Sequence, residues 1–200
     1  MSWTGRNGYL TESEMRANGI EIYQYFSSYG WSINAICAML GNMQSESGVN
    51  PGIWESLIPY GGGYGLVQWT PYSKYKNWAG AQWENNGPLE CARVIFEFNN
   101  GLQWKNDTLT WPQYIYNQSD FPTSTQSVDY LAWVWLQNYE RPGNFNQPDR
   151  AQQALDWYSY ITGEQPPIPI PPDPQPPDPE AGAKIPIWLM FKMEENNGKK

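Results

Sequence analysis

The stretch from Pro166 to Pro179 limits which part of this chain can fold. Nine of its fourteen residues are proline. Proline has no backbone N–H and its ring fixes φ, so such a stretch favours an extended polyproline II conformation over a helix or an inner strand. The sequence therefore predicts a folded domain over residues 1–162, a proline-rich linker over 163–183 and a short C-terminal tail over 184–200.

The two ends of the chain carry no membrane signal. Residues Met1 to Tyr9 are small and polar, without the apolar core of a secretory signal peptide. The apolar run from Ile185 to Phe191 is too short to cross a bilayer. Two interpretations of this run stay open, an unstructured tail and a docking segment for a larger assembly.

The absence of histidine removes several classes of enzyme. Among 200 residues there is no His, so a Ser-His-Asp triad, a Cys-His protease site and the usual zinc hydrolase sites cannot be built. The acid–base groups of an enzyme would have to be carboxylates, Tyr, Lys or Cys. A net charge of −8 argues against nucleic acid and anionic membranes as partners. We expect neither a metal nor a cofactor.

Helical periodicity dominates the first 162 residues. Residues Thr11 to Glu14 form a capping box that begins one helix, and Ser32 can begin a second. Further helices are expected at about 89–98 and 124–137, and Pro71 and Pro148 stand at expected first helical positions. Between Gly48 and Trp69, five glycines and two prolines predict loop with a small hairpin. The expected fold class is mainly α.

Two cysteines, Cys37 and Cys91, stand among apolar residues at helical spacing. Two cysteines do not make a disulfide framework. Buried free thiols are the favoured interpretation, and a single bridge is the alternative.

Glu46 is the first candidate for chemistry. Ile36, Met39, Leu40 and Met43 form the apolar stripe of the second helix, and Glu46 continues that stripe at the C-terminal end. Burial and the negative pole of the helix both favour the protonated carboxyl, which a general acid needs. The alternative is a helix that ends one turn earlier and leaves Glu46 in solvent.

The segment Gly61–Thr70 is the second candidate. Its glycines allow a ligand to approach the backbone, and Gln68 offers a neutral donor and acceptor. Tyr64 and Trp69, with Trp54 in the same loop region, could form flat walls for sugar rings. A purely structural glycine loop is the alternative.

The third candidate is the segment Asn138–Pro142, which follows a strongly apolar helix. Tyr139 could point into a cleft. Glu140 and Arg141 could instead form a surface ion pair of little energetic value.

Together these segments resemble the phage tail lysozyme family. The resemblance is carried by Gly41–Ser47, Asn50–Gly52 and Gly63–Thr70, then by Tyr139–Pro142 and Asn146–Arg150, and it covers about residues 5 to 162. The family is similar in turn to goose-type lysozymes and lytic transglycosylases, in which a Glu-Ser pair ends a helix and a Gly-Leu-x-Gln segment follows. Here these are Glu46-Ser47 and Gly65–Gln68.

The resemblance implies a lysozyme-like helical domain that cleaves the glycan strands of peptidoglycan. It implies that Glu46 is the catalytic acid, that Gln68 lines the glycan cleft and that Tyr139 matches a cleft tyrosine. Ser47, as the second member of the Glu-Ser pair, and the aromatic residues Tyr64 and Trp69 complete the expected substrate site. The second acid is left open among three residues: Glu55, Glu140 and Asp129. A water molecule could attack, as in a muramidase or glucosaminidase, or a sugar hydroxyl, as in a lytic transglycosylase.

The same resemblance implies a bacteriophage context. A tail-associated lysozyme would be made in the host cytoplasm, carried in the virion and held by other tail proteins through the C-terminal tail. An endolysin is the other enzymatic context, and a non-catalytic glycan-binding or structural tail module is the alternative of another class.

Overall fold

The computed structural model of this chain describes residues 3–106 and 111–164. The predicted linker over 163–183 lies outside the described residues from 165 onward, as does the whole tail over 184–200. The helices that position the site are α1 (Glu12–Ser28), α2 (Ile33–Ser47), α3 (Ser73–Ala79), α4 (Gly87–Asn99), α5 (Val128–Trp135) and α6 (Asp149–Thr162). The mainly α class expected from the sequence is confirmed.

The first two helices begin where the sequence predicts. The Thr11 hydroxyl accepts a hydrogen bond from the Glu14 N–H, and the Glu14 carboxylate accepts one from the Thr11 N–H, so the capping box is complete. The Ser32 hydroxyl caps α2 by accepting from the Ala35 N–H. Helix α2 then continues to Ser47, which confirms the prediction that Glu46 extends its apolar stripe.

Helix α2 is the centre of the core and contacts α1, α5 and α6. Its approach to α6 is close at Gly41, where an added Cβ would lie 2.6 Å from the backbone nitrogen of Ala154. No larger residue fits there without moving one of the two helices. The small residue therefore brings Arg150, in the first turn of α6, against the C-terminal half of α2.

The region between α2 and α3 is loop, as predicted. Within the described ranges it carries a single antiparallel bridge, between Trp54 and Tyr64, and no named strand. The helix predicted over 124–137 is wrong in its bounds, since α5 begins at Val128 and gives way after Trp135 to a π-helical turn at Leu136–Glu140. Such turns place side chains at irregular angles and are frequent at functional sites.

The proline predictions near α3 and α6 differ in outcome. Pro148 has helical dihedral angles directly before α6. Pro71 instead precedes α3, which begins at Ser73.

The buried side chain of Asn18 fixes the position of the N-terminal segment. Asn18 of α1 accepts a hydrogen bond from the Thr4 N–H and donates to the carbonyls of Thr4 and Val49. Its neighbour Gly19 lies under the indole of Trp157, where there is no room for a Cβ. One side chain thus joins the N-terminal segment to the end of α2.

The two cysteines are buried free thiols, which confirms the favoured interpretation. Burial raises the pKa of Cys37 to about 12 and that of Cys91 well above its ordinary value. No described helix is long and apolar enough to span a membrane.

Candidate active site

A cleft of about 640 Å³ contains most of the residues singled out in the sequence. Its walls come from the end of α2, the glycine-rich region, and the π-helical turn with the residues after it. The residues that line it include Glu46, Trp54, Glu55, Gln68, Trp69, Tyr139, Glu140 and Arg141. Segments far apart in the sequence therefore meet at one surface.

Glu46 lines this cleft and forms an ion pair with Arg150. The guanidinium Nη2 donates to Glu46 Oε1 at 2.6 Å, and the arginine side chain is only 7% exposed. Arg150 is held in turn by the carbonyl and the amide oxygen of Asn42 and by Gln147. Arg150 thus places a positive charge directly beside the Glu46 carboxyl group.

Glu140 is the second carboxyl group in the cleft. Its Oε1 accepts a hydrogen bond from the indole Nε1 of Trp135 at 2.9 Å. Burial, and next the negative charge of Glu46, raise the pKa of Glu140 to about 8, while Arg150 and the indole act in the opposite direction. Glu140 therefore holds its proton at neutral pH, and the surface ion pair with Arg141 considered from the sequence is not formed among the described contacts.

Trp69 and Tyr139 line the cleft from two segments, and both bind Glu97 of α4. The indole Nε1 of Trp69 lies 3.0 Å from Glu97 Oε1, and the Tyr139 hydroxyl donates to Glu97 Oε2 at 2.6 Å. Tyr139 is among the residues that line the cleft. Its hydroxyl, however, is turned towards Glu97.

Gln68 and Glu55 lie in the glycine-rich wall. The Gln68 side-chain amide donates to the carbonyls of Gly65 and Ile53. Gln68 also lines the cleft. Glu55 is exposed, and its carboxylate accepts from the Gly63 N–H, so it closes the loop that carries the glycines. Trp54 is buried beside it and also reaches the cleft.

Three residues expected in the site lie outside the cleft. The Ser47 hydroxyl donates to the carbonyls of Met43 and Leu66 and so fastens the glycine-rich loop to α2. Tyr64 is 1% exposed, and its hydroxyl accepts from the Asn85 N–H, so its ring belongs to the core and offers no wall to a sugar. Asp129 lies on α5 and does not line the cleft.

Sequence reasoning missed four charged residues around the cleft. Arg150 lies on α6, far from Glu46 in the sequence, so the spacing of residues along the chain does not predict that the two form an ion pair. Glu97 and Arg93 are four residues apart on the buried face of α4 and form an ion pair at 2.9 Å. Charged residues at apolar positions of a helix were the available signal. Glu90, one turn earlier, is also fully buried and accepts from the Leu66 N–H.

No group of three or more His, Cys, Asp or Glu side chains in the described parts of the chain could hold a metal ion. The cleft offers three carboxyl groups, those of Glu46, Glu55 and Glu140, together with basic side chains and aromatic walls.

A mainly helical core with a glycine-rich loop and a carboxyl-bearing cleft defines a lysozyme-like domain. The chain belongs to the phage tail lysozyme family, whose model matches residues 17–161. The resemblance inferred from the sequence is therefore confirmed.

A curated relative is Morphogenesis protein 1 of Bacillus phage B103. It is 42% identical over 168 residues, which is 80% of this chain and 43% of that protein. The chain thus spans less than half the length of this relative.

Proposed function

We propose that this domain cleaves the glycan strands of bacterial peptidoglycan as a lysozyme-type muramidase. The observation that carries the proposal is the pair Glu46 and Glu140, two carboxyl groups that line one cleft with aromatic side chains beside them. Glycoside cleavage by carboxyl pairs needs one proton donor and one carboxylate. Aromatic rings and amide groups suit the apolar faces and acetamido groups of amino sugars.

The charges of the cleft supply both protonation states. Arg150 compensates the carboxylate of Glu46, whereas the neutral indole of Trp135 is the hydrogen-bond partner of Glu140. One carboxyl group donates its proton to the glycosidic oxygen, and the other stabilises the positive charge that develops on the sugar ring.

Two assignments of the donor follow from this pair. The family resemblance assigns the acid role to Glu46, which then requires the substrate to displace Arg150. The surroundings of Glu140 favour Glu140 instead, because burial and the charge of Glu46 raise its pKa to about 8. The alkaline limb of the activity profile distinguishes them, since only a Glu140 donor places that limb near pH 8 and loses it in Glu140→Gln.

Gln68, Trp69 and Trp54 are the proposed glycan contacts, and Glu55 is a proposed support of their loop. Ser47 is proposed to act only through that loop, because its hydroxyl is occupied by two carbonyls. Tyr64 and Asp129 are not part of the proposed site.

The family and the phage relative support a virion-associated role. In this proposal the protein is made in the host cytoplasm, assembled into the tail and used against the host wall at infection. The domain over 1–162 carries the cleavage, and the segments 163–183 and 184–200 act as spacer and as a docking segment for other tail proteins.

Mass spectrometry of muropeptides released from purified sacculi tests the proposal. Wild type, Glu46→Gln and Glu140→Gln are compared with Glu84→Gln, a matched change at an exposed residue outside the cleft. We expect soluble fragments from wild type and Glu84→Gln, and a loss of about 10²-fold or more in both cleft variants. Unchanged cleavage in both cleft variants would refute the carboxyl pair.

The reducing ends of the fragments identify the bond and the attacking group. A free muramic acid end means a muramidase, a free glucosamine end means a glucosaminidase, and a 1,6-anhydro end means a lytic transglycosylase. If wild type pellets with sacculi and releases nothing, the domain is a glycan-binding module.

A further inference from the structure

Glu97 is a buried carboxylate beneath the cleft, outside the carboxyl pair proposed to act on the substrate. It is 2% exposed and does not line the cleft. Its two oxygens accept from Trp69 Nε1 at 3.0 and 3.1 Å, from Arg93 Nε at 2.9 Å and from the Tyr139 hydroxyl at 2.6 Å. Both oxygens of Glu97 thus act as hydrogen-bond acceptors, and one of their donors is the cationic side chain of Arg93.

The donors to Glu97 come from separate parts of the chain. Trp69 ends the glycine-rich loop, and Tyr139 stands in the π-helical turn, 28 and 42 residues from Glu97. Both of these aromatic residues line the cleft. One side chain of α4 therefore sets the distance between two wall segments that have no shared helix or strand.

Tyr139 connects Glu97 to the carboxyl pair. Its ring stacks on the indole of Trp135, with centroids 4.1 Å apart and planes inclined by 23°. The same indole donates to Glu140 Oε1. A shift of Tyr139 therefore moves the hydrogen-bond donor that orients Glu140.

The buried ion pair between Glu97 and Arg93 adds little net stability to α4. Removing Glu97 and Arg93 from water costs free energy that their attraction only partly returns, and an apolar pair of similar volume would stabilise the core as well. An apolar pair could not accept the hydrogen bonds that Trp69 and Tyr139 of the cleft walls donate to Glu97.

We propose that Glu97 is a positioning residue of the active cleft, which holds Trp69 for the glycan and Tyr139 for the orientation of Glu140. This inference rests on the proposed glycan cleavage. It assigns Glu97 no contact with the substrate.

Two variants test this role. In Glu97→Gln one accepting oxygen remains and the charge opposite Arg93 is lost. In Tyr139→Phe only the hydroxyl is lost, and the ring can stay on Trp135. The control is Phe26→Leu, a core change in α1 away from the cleft that lowers stability by a different route.

The readouts are kcat and KM per folded molecule, and the Kd for an oligomer of N-acetylglucosamine. We expect Glu97→Gln to lower kcat/KM by about 10²-fold, with a weaker Kd. Tyr139→Phe should lower kcat by about tenfold while KM changes little. Phe26→Leu should lower the Tm and leave kcat and KM unchanged.

The outcomes separate this inference from the proposed function. If wild type neither cleaves sacculi nor binds the oligomer, the proposed function fails and the positioning role fails with it. If wild type is active and both variants stay within about twofold of it in kcat and KM, only the positioning role is overturned. Should Glu97→Gln not fold, Tyr139→Phe alone decides.

Discussion

Replacing Glu140 with glutamine tests whether the folded protein keeps a proton on this carboxyl group near neutral pH. In the folded protein the pKa of Glu140 is raised from 4.5 to about 8, first by burial and then by the charge of Glu46. Between these two values the native state binds more protons than the unfolded chain. The stabilisation from this group is complete below pH 4.5 and is lost as the pH rises through about 8.

The size of the effect follows from the width of this interval. One extra bound proton lowers the free energy of unfolding by at most about 1.4 kcal/mol per pH unit, so the loss from pH 4.5 to pH 8 is about 5 kcal/mol. In Glu140→Gln the neutral amide cannot titrate and this dependence disappears. The contributions of distant groups are shared by both proteins and cancel in the difference.

Urea unfolding of wild type and Glu140→Gln at several pH values between 5 and 8.5 measures that difference. We expect the variant to gain stability relative to wild type as the pH rises. Two parallel curves would refute the reasoning, because they would mean that Glu140 titrates alike in both states. If Glu140 is the proton donor, the same group should also give wild type an alkaline limb near pH 8 in kcat/KM.

Three further outcomes are expected. Arg150→Met leaves Glu46 without its cation, so urea unfolding at pH 7 should show a loss of about 3 kcal/mol, and a loss below half of that would contradict a structural ion pair. Gly41→Ala forces α2 and α6 apart, so thermal unfolding should show a destabilisation of about 1–3 kcal/mol, and cleavage should fall as Arg150 moves; an unchanged Tm would contradict the close approach. Cys37 and Cys91 should be inert to a thiol reagent in the native protein and react together after denaturation, and fast labelling of either would contradict their burial.

Local signals in the sequence predicted the parts of the fold that depend on neighbours along the chain. The capping box at Thr11 and the stripe that leads to Glu46 specify α1 and α2, because caps and a 3.6-residue period are local properties. The π-helical turn at Leu136–Glu140 had no such signal. Its residues continue the period of α5, and packing and hydrogen bonds from other segments determine the extra residue in the turn.

The candidate site was predictable in its residues and much less in its contacts. Glu46, Gln68 and Trp69 were found because they follow a helix stripe or a glycine-rich loop. The partners Arg150 and Glu97 were missed, since each pairing joins segments far apart in the sequence. Tyr64 was misplaced because the neighbouring glycines indicated a surface loop, whereas the structure folds its ring inward.

The sequence Asn18–Gly19 has a consequence for the chemical stability of this protein during storage. An asparagine followed by glycine is prone to deamidate, because the glycine N–H can attack the side-chain amide when the backbone is free to rotate. Inside α1 the amide is held by two carbonyls, and the backbone of Gly19 is fixed under Trp157. Conversion of Asn18 to aspartate or isoaspartate therefore proceeds only through opened molecules, and the fraction converted after storage records how long the chain has spent unfolded.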